Sequence, residues 1–159
     1  MIYLGLGSNI GNRAKNIENA LVQISERIGT ILCVSSLYES EAWGYSSNNK
    51  FLNIAAVVET TIAPEEILQK IKEIESILGR SKKKTETYED RLIDIDILFY
   101  DDLIIEKQQL GIPHQHIEKR KFVLAPMLEI APDFVHPVLR KTIRELNDEL
   151  LSTNKRNMV

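Results

Sequence analysis

The chain has 159 residues, 43% of them hydrophobic and 27% charged, with a formal net charge of -3 at pH 7. That size predicts one core and a single domain over residues 1–159, which we expect to be a monomer. The charge gives no general attraction to nucleic acid, and no window reaches the roughly 20 apolar residues of a membrane span. One cysteine, Cys33, lies in an apolar run, so we expect a buried thiol in an untargeted, cytoplasmic protein.

Hydrophobic periodicity divides the first part of the chain into strands and a helix. Ile2 to Leu6 predicts a short strand, and apolar residues at helical spacing predict a helix that Gly29 ends. Two more strands are predicted at Ile31 to Tyr38 and Phe51 to Thr60. The polar loop between them is too long for a tight hairpin and can carry a site.

A second helix and a further strand complete the predicted sheet and its cover. Pro64 begins this helix, Gly79 ends it, and a basic segment leads to a strand around Ile93 to Phe99. The order βαββαβ is that of a ferredoxin-like α+β sandwich, in which two helices cover one face of an antiparallel sheet. Prolines favour an irregular C-terminal extension, which ends in a helix that begins with the capping box Thr142 to Glu145.

Two aspartates, Asp94 and Asp96, stand two residues apart in an otherwise aliphatic strand. Side chains alternate along a strand that rises about 3.3 Å per residue, so both carboxylates point to one face, roughly 6 to 7 Å apart. The isoleucines around them and Phe99 are expected on the opposite face. Such a pair of anions repels, and a hard divalent cation would reverse that cost. The functional interpretation is a magnesium site; the structural one is a solvent-exposed strand face.

Other patterns support this chemistry or exclude alternatives. The basic run Arg80 to Lys84 is typical of a solvated loop, but beside two carboxylates it supplies the cations that phosphoryl transfer requires. The glycine-rich segment Gly5 to Gly11 lacks the spacing of a dinucleotide-binding turn, so we interpret its glycines as a tight strand-to-helix connection. The three histidines have no cysteine or nearby carboxylate to complete a zinc site.

Taken together, these residues resemble the 6-hydroxymethyl-7,8-dihydropterin pyrophosphokinase family nearly end to end. The most specific element is Arg-x-x-Asp-x-Asp followed by aliphatic residues, at a family-like distance before Ile112-Pro113-His114. The resemblance implies a ferredoxin-like fold and transfer of the terminal diphosphate of ATP to a pterin alcohol in folate biosynthesis. Other matching segments are Leu4-Gly5-Leu6-Gly7-Ser8-Asn9, Phe51-Leu52-Asn53, Leu78-Gly79-Arg80, Phe122-Val123-Leu124 and Glu129-Ile130-Ala131-Pro132.

The resemblance also implies a role for individual residues. Two Mg²⁺ ions would bind Asp94 and Asp96 and bridge the ATP phosphates. The implied catalytic residues are Arg80, Arg91, Asp94 and Asp96. The implied nucleotide-binding residues are Lys72, Glu75, Lys82, Tyr88, Arg91, Ile97, His114 and Arg120. The implied pterin-binding residues are Ser40, Trp43, Phe51, Asn53 and Phe122, with the pterin ring between the two phenylalanines.

Some positions depart from the family pattern, and other functions stay open. Glu89 and Asp90 stand where a small residue and a proline are frequent, and Trp43 stands where a smaller aliphatic is common. No side chain is an obvious strong base, so none is assigned. Two alternatives are a non-catalytic ferredoxin-like binding module, which would not consume ATP, and a magnesium-dependent phosphohydrolase, which would turn over ATP without a pterin.

Overall fold

A computed structural model describes residues 1–79 and 90–157 of the chain. The strands are β1 (Ile2–Ser8), β2 (Thr30–Val34), β3 (Tyr38–Ser40), β4 (Phe51–Glu59), β5 (Asp94–Tyr100), β6 (Ile105–Lys107) and β7 (Leu110–Ile112). The helices are α1 (Arg13–Arg27), α2 (Pro64–Ile77), α3 (Lys121–Ile130) and α4 (Ile143–Asn157), with a 3₁₀ turn at Ile117–Lys119. Within the described ranges, no helix is long and apolar enough to cross a membrane.

The main sheet is antiparallel and runs β2-β4-β1-β5, with β3 pairing β4 beyond the end of β2. This is the ferredoxin-like order, so the predicted fold class is confirmed. The single strand predicted from Ile31 to Tyr38 is wrong, because it is interrupted at Ser35. There the Ser35 hydroxyl accepts a hydrogen bond from Ala55 N at 3.0 Å, in place of a main-chain carbonyl. β6 and β7 form a separate hairpin.

Helices α1 and α2 cover one face of the sheet, where aliphatic side chains such as Leu4, Ile24 and Ile74 are fully buried. Helix α1 begins at a side-chain cap, since Asn12 Oδ1 accepts from Lys15 N at 3.1 Å. It ends just before Gly29, as predicted, although Gly29 does not have a positive φ. A Cβ there would lie 2.1 Å from the Glu59 carbonyl oxygen, so close approach of the backbone requires the glycine.

Helices α3 and α4 cover the opposite face, which two predicted helices alone would have left bare. A second cluster of buried residues lies beneath them, including Leu124, Met127 and Leu146. The prediction of an irregular chain up to the final helix is therefore wrong, since α3 continues through Pro126. A proline inside a helix costs about 3 kcal/mol, and burial of several large apolar side chains at about 1.5–3 kcal/mol each outweighs it. The final helix begins as predicted, with Glu145 N donating to Thr142 Oγ1 at 3.1 Å.

Two expectations about apolar residues are corrected by the sheet. β5 pairs β1 with a register shift that leaves Leu98 as an extra residue between Ile97 and Phe99. Because of this bulge, Phe99 joins Leu98 in the cluster under α3 and α4, and does not follow the isoleucines to the other face. Cys33 is exposed on β2, which lies at the edge of the sheet, so the predicted buried thiol is wrong.

Candidate active site

A cavity of about 180 Å³ opens on the sheet face that carries the two aspartates. It is bordered by β1, β4 and β5, by the loop before β4 and by the start of α3. Ten of the residues predicted for the site line this cavity, which we call the aromatic pocket: Ser40, Trp43, Phe51, Asn53, Arg91, Asp94, Asp96, His114, Arg120 and Phe122.

Each aspartate of β5 already has a cationic partner. Asp94 Oδ1 accepts from Arg91 Nη1 at 2.8 Å, and Asp96 Oδ1 lies 3.6 Å from His114 Nε2. The predicted repelling pair is therefore offset by neighbouring groups of the protein. The aspartate side chains stay 29% and 37% exposed, so a ligand can reach both carboxylates.

His114 is positioned to carry a proton in the absence of ligand. Burial opposes its charged form, but the Asp96 carboxylate and the Gln115 carbonyl outweigh burial and raise the pKa of His114. His114 Nδ1 lies 3.1 Å from the Gln115 carbonyl oxygen, which accepts the second ring proton of the imidazolium. The Asp96 carboxylate therefore favours the charged form of the imidazole.

Gly7 on β1 keeps the floor of the aromatic pocket open. A Cβ there would meet Asn53 Oδ1 at 3.2 Å and the Phe51 ring at 3.3 Å. The Asn53 side chain is buried, and its Nδ2 donates to the Tyr38 carbonyl at 3.1 Å and to Ser40 Oγ at 2.7 Å. Among the described residues, no donor contacts Asn53 Oδ1. The two hydrogen bonds from its nitrogen fix the Asn53 amide, which thus presents Oδ1 to the pocket as an acceptor.

Arg120 lies among the aromatic side chains of the pocket. Its guanidinium carbon is 4.3 Å from the centroid of the Trp43 ring and 5.9 Å from that of Phe122, so the charge stacks on tryptophan. Its Nη1 lies 3.3 Å from His114 Nδ1. Its Nε is buried and has no hydrogen-bond partner in the described part of the chain. The described residues therefore leave one buried donor of Arg120 without a hydrogen bond.

A second cavity, of about 250 Å³, lies on the other side of Asp96, and we call it the hairpin cavity. Helix α2, strand β5 and the β6–β7 hairpin border it. Asp96 and His114 line both cavities. The other residues around the hairpin cavity include Leu68, Ile71, Ile97, Lys107, Gln109 and Gln115.

The remaining residues predicted to bind the nucleotide lie apart from one another or outside the described residues. Ile97 lines the hairpin cavity, whereas Lys72 is exposed and lines neither cavity. Glu75 is 4% exposed, and its Oε2 accepts from Ile95 N at 3.4 Å, which links α2 to β5. A contact of Lys72 or Glu75 with a nucleotide stays a prediction. The other three predicted positions lie outside the described residues: Arg80, Lys82 and Tyr88.

Sequence reasoning did not assign a role to a polar cluster beside the pocket. Asp90 accepts hydrogen bonds from Asn9 and from three residues of the loop before β4, which are Tyr45, Ser47 and Asn49. The only signal in the sequence is that Asp90 replaces a proline frequent in the family. Its partners are up to 81 residues away along the chain, so no local pattern reveals them.

An antiparallel α+β sandwich with carboxylates, guanidinium groups and aromatic rings around two cavities that share Asp96 and His114 is compatible with a class of enzymes: those that transfer phosphoryl groups beside a flat substrate. Comparison with known proteins identifies the family within that class. Residues 3–132 match the model of 7,8-dihydro-6-hydroxymethylpterin-pyrophosphokinase (HPPK). The chain therefore belongs to the HPPK family, whose members are pterin pyrophosphokinases of folate biosynthesis. The resemblance drawn from the sequence, with its enzyme class, is confirmed.

Relatives of two kinds are similar to this chain. A 2-amino-4-hydroxy-6-hydroxymethyldihydropteridine pyrophosphokinase of Aquifex aeolicus is 42% identical over 148 residues, which are 93% of this chain and 91% of that protein. The folic acid synthesis protein fol1 of Schizosaccharomyces pombe is 39% identical over 94% of this chain but only 20% of its own length. The fold also matches a crystal structure of Plasmodium falciparum HPPK-DHPS with a TM-score of 0.81 and 21% identity, covering 99% of this chain and 45% of that one.

Proposed function

We propose that this chain transfers the diphosphate of ATP to 6-hydroxymethyl-7,8-dihydropterin and produces AMP and the pterin diphosphate. The observation that carries the proposal is that Asp96 and His114 line both cavities. One cavity has aromatic walls for a flat ring, and the other has an aliphatic wall and a lysine for a nucleotide. Substrates in the two cavities would meet at these shared side chains.

The aromatic pocket suits the pterin. Phe51 and Phe122 line it and offer ring faces to a planar heterocycle, at about 0.5–1.5 kcal/mol per aromatic contact beyond burial. Asn53 offers Oδ1 as an acceptor for an N–H of the ring, while Ser40 and the Tyr38 carbonyl hold its amide nitrogen. Arg120 stacks on Trp43 within the same pocket, so a pterin must share that space or displace the guanidinium.

The carboxylates suit Mg²⁺, and we infer two ions held by Asp94 and Asp96. The described residues contain no cluster of three metal-ligating side chains. That fits Mg²⁺, which is commonly bound by one or two carboxylates together with substrate phosphates. When bound, the ions would neutralise phosphate charge and favour the ionised form of a nearby alcohol.

The cationic side chains position the phosphates for displacement. Arg91, His114 and Arg120 all line the aromatic pocket, and the raised pKa of His114 supports a proton on its ring. They would hold phosphate oxygens so that the hydroxymethyl oxygen lies in line with the β-phosphorus. A new bond forms between the hydroxymethyl oxygen and the β-phosphorus. The bond from the β-phosphorus to the oxygen that bridges it to the α-phosphorus breaks, and AMP leaves with that electron pair. The hydroxyl proton passes to solvent.

One assay tests the function. The protein is incubated with ATP, Mg²⁺ and the pterin alcohol, and AMP is resolved from ADP. The proposal requires AMP to form only when the pterin is present. ATP turnover without pterin would indicate a phosphohydrolase, and no turnover would indicate a binding module. We also propose a monomer, and the molar mass from light scattering checks this.

A further inference from the structure

Asp90 joins the loop before β4 to the segment that precedes β5. Its Oδ1 accepts from Asn9 Nδ2 at 2.7 Å, from Ser47 Oγ at 2.7 Å and from the Tyr45 hydroxyl at 3.3 Å. Its Oδ2 accepts from Asn49 Nδ2 at 2.7 Å. A carboxylate has about four acceptor positions, so these four donors use its capacity.

The carboxylate is charged when it makes these bonds. Hydrogen bonds from Ser47, Asn49 and Asn9 hold the pKa of Asp90 below its usual range, against the opposing effect of desolvation. Hydrogen bonds to a charged acceptor are stronger than those between neutral groups. The loop from residue 41 to residue 50 contains Trp43 and Tyr45, which line the aromatic pocket. The cluster therefore holds one wall of that pocket.

Arg91 has its own connection to the fold. Arg91 N donates to Asn9 Oδ1 at 2.7 Å, and Asn9 N donates to the Arg91 carbonyl at 3.1 Å. Neither bond uses the Asp90 side chain. Loss of the Asp90 carboxylate would remove all three of its bonds to the loop, while Arg91 would keep both main-chain bonds to Asn9.

We propose that Asp90 is a positioning residue for the pterin side of the reaction: it holds the Trp43 loop against the segment that precedes β5 and so shapes the aromatic pocket. The effect on pterin kinetics rests on the proposed function, whereas the effect on the loop rests only on the contacts of Asp90.

The first experiment does not depend on activity. Trp43 is the only tryptophan, so acrylamide quenching of its emission reports on the loop. Asp90→Ala should increase the quenching constant, and Asp90→Asn should give an intermediate value, because asparagine keeps one oxygen acceptor. Asp133→Ala is the matched control, since Asp133 is an aspartate 83% exposed and 3.3 Å from Arg144. Quenching in Asp90→Ala equal to that of the native chain would overturn the proposal.

The second experiment separates positioning from a general loss of structure. Asp90→Ala should raise the KM for the pterin roughly tenfold, the equivalent of about 1.4 kcal/mol, and leave the KM for ATP and kcat within about twofold. Ser47→Ala should raise the pterin KM less, and adding it to Asp90→Ala should have little further effect. Equal rises in both KM values, or additive effects of the two substitutions, would overturn the proposal. Absence of pterin-dependent AMP from the native chain would refute the proposed function, and quenching would still decide the role of Asp90.

Discussion

Replacing Asp94 with asparagine should separate catalysis from stability. Relief of the repulsion between the two aspartates would by itself stabilise the unligated fold, but the change also weakens the pair in which Asp94 accepts from Arg91 at 2.8 Å, with side chains 29% and 24% exposed. Exposed pairs contribute about 0–1 kcal/mol and hydrogen bonds to charged groups about 1.5–3 kcal/mol. Asparagine keeps one acceptor oxygen, so we expect a loss of about 1 kcal/mol in the free energy of unfolding.

Turnover should fall far more than stability. Loss of a metal-binding carboxylate should lower kcat by roughly a hundredfold or more, and at 1.36 kcal/mol per tenfold this is at least about 2.7 kcal/mol of activation free energy. The assay is pterin-dependent AMP formation across a Mg²⁺ titration, with urea unfolding measured on the same samples. Asp133→Asn is the control, because it removes one charge from a pair that is 57% and 83% exposed. Near-native turnover of Asp94→Asn at ordinary Mg²⁺ would refute the metal assignment.

Three further substitutions test the pocket and the fold. Phe122→Ala should weaken pterin binding several-fold and leave the affinity for an ATP analogue unchanged, because an aromatic contact contributes about 0.5–1.5 kcal/mol; parallel losses in separate calorimetric titrations would contradict this. Gly29→Ala should lower the free energy of unfolding by about 2 kcal/mol or more, since its Cβ would lie 2.1 Å from a carbonyl oxygen, whereas Gly111→Ala, with nothing within 4 Å, should be nearly neutral in urea unfolding. His136 Nδ1 accepts from Leu139 N at 3.0 Å, and burial lowers the pKa of this histidine. The neutral ring therefore stabilises the fold above the ordinary histidine pKa of about 6.5, and this stabilisation is lost as the pH falls through the folded-state pKa. His136→Gln should flatten the pH dependence of unfolding below about pH 6.5, and an unchanged dependence would contradict this role.

Elements with a local cause could be predicted from the amino-acid sequence. Alternation in β5 and helical spacing in α1 and α2 place apolar side chains on one face of each element, and that periodicity requires no knowledge of the partners. It therefore predicted the ferredoxin-like order, the shared face of Asp94 and Asp96, and the cap at Thr142. The motif around Arg91 also predicted the family.

Features that depend on residues far apart in the chain could not be predicted before the fold was known. Helix α3 forms through Pro126 because a cluster under α4 buries its apolar side chains, a gain that the proline's own propensity opposes. The bulge at Leu98 follows from the register of β5 against β1, and single-strand alternation does not contain that register. The connection of Asp90 to Asn9 spans 81 residues, and Asp96 borders two cavities only after α2, β5 and the β6–β7 hairpin meet. These contacts depend on which surfaces pack together, because a side chain's charge and type do not specify its neighbours across the chain.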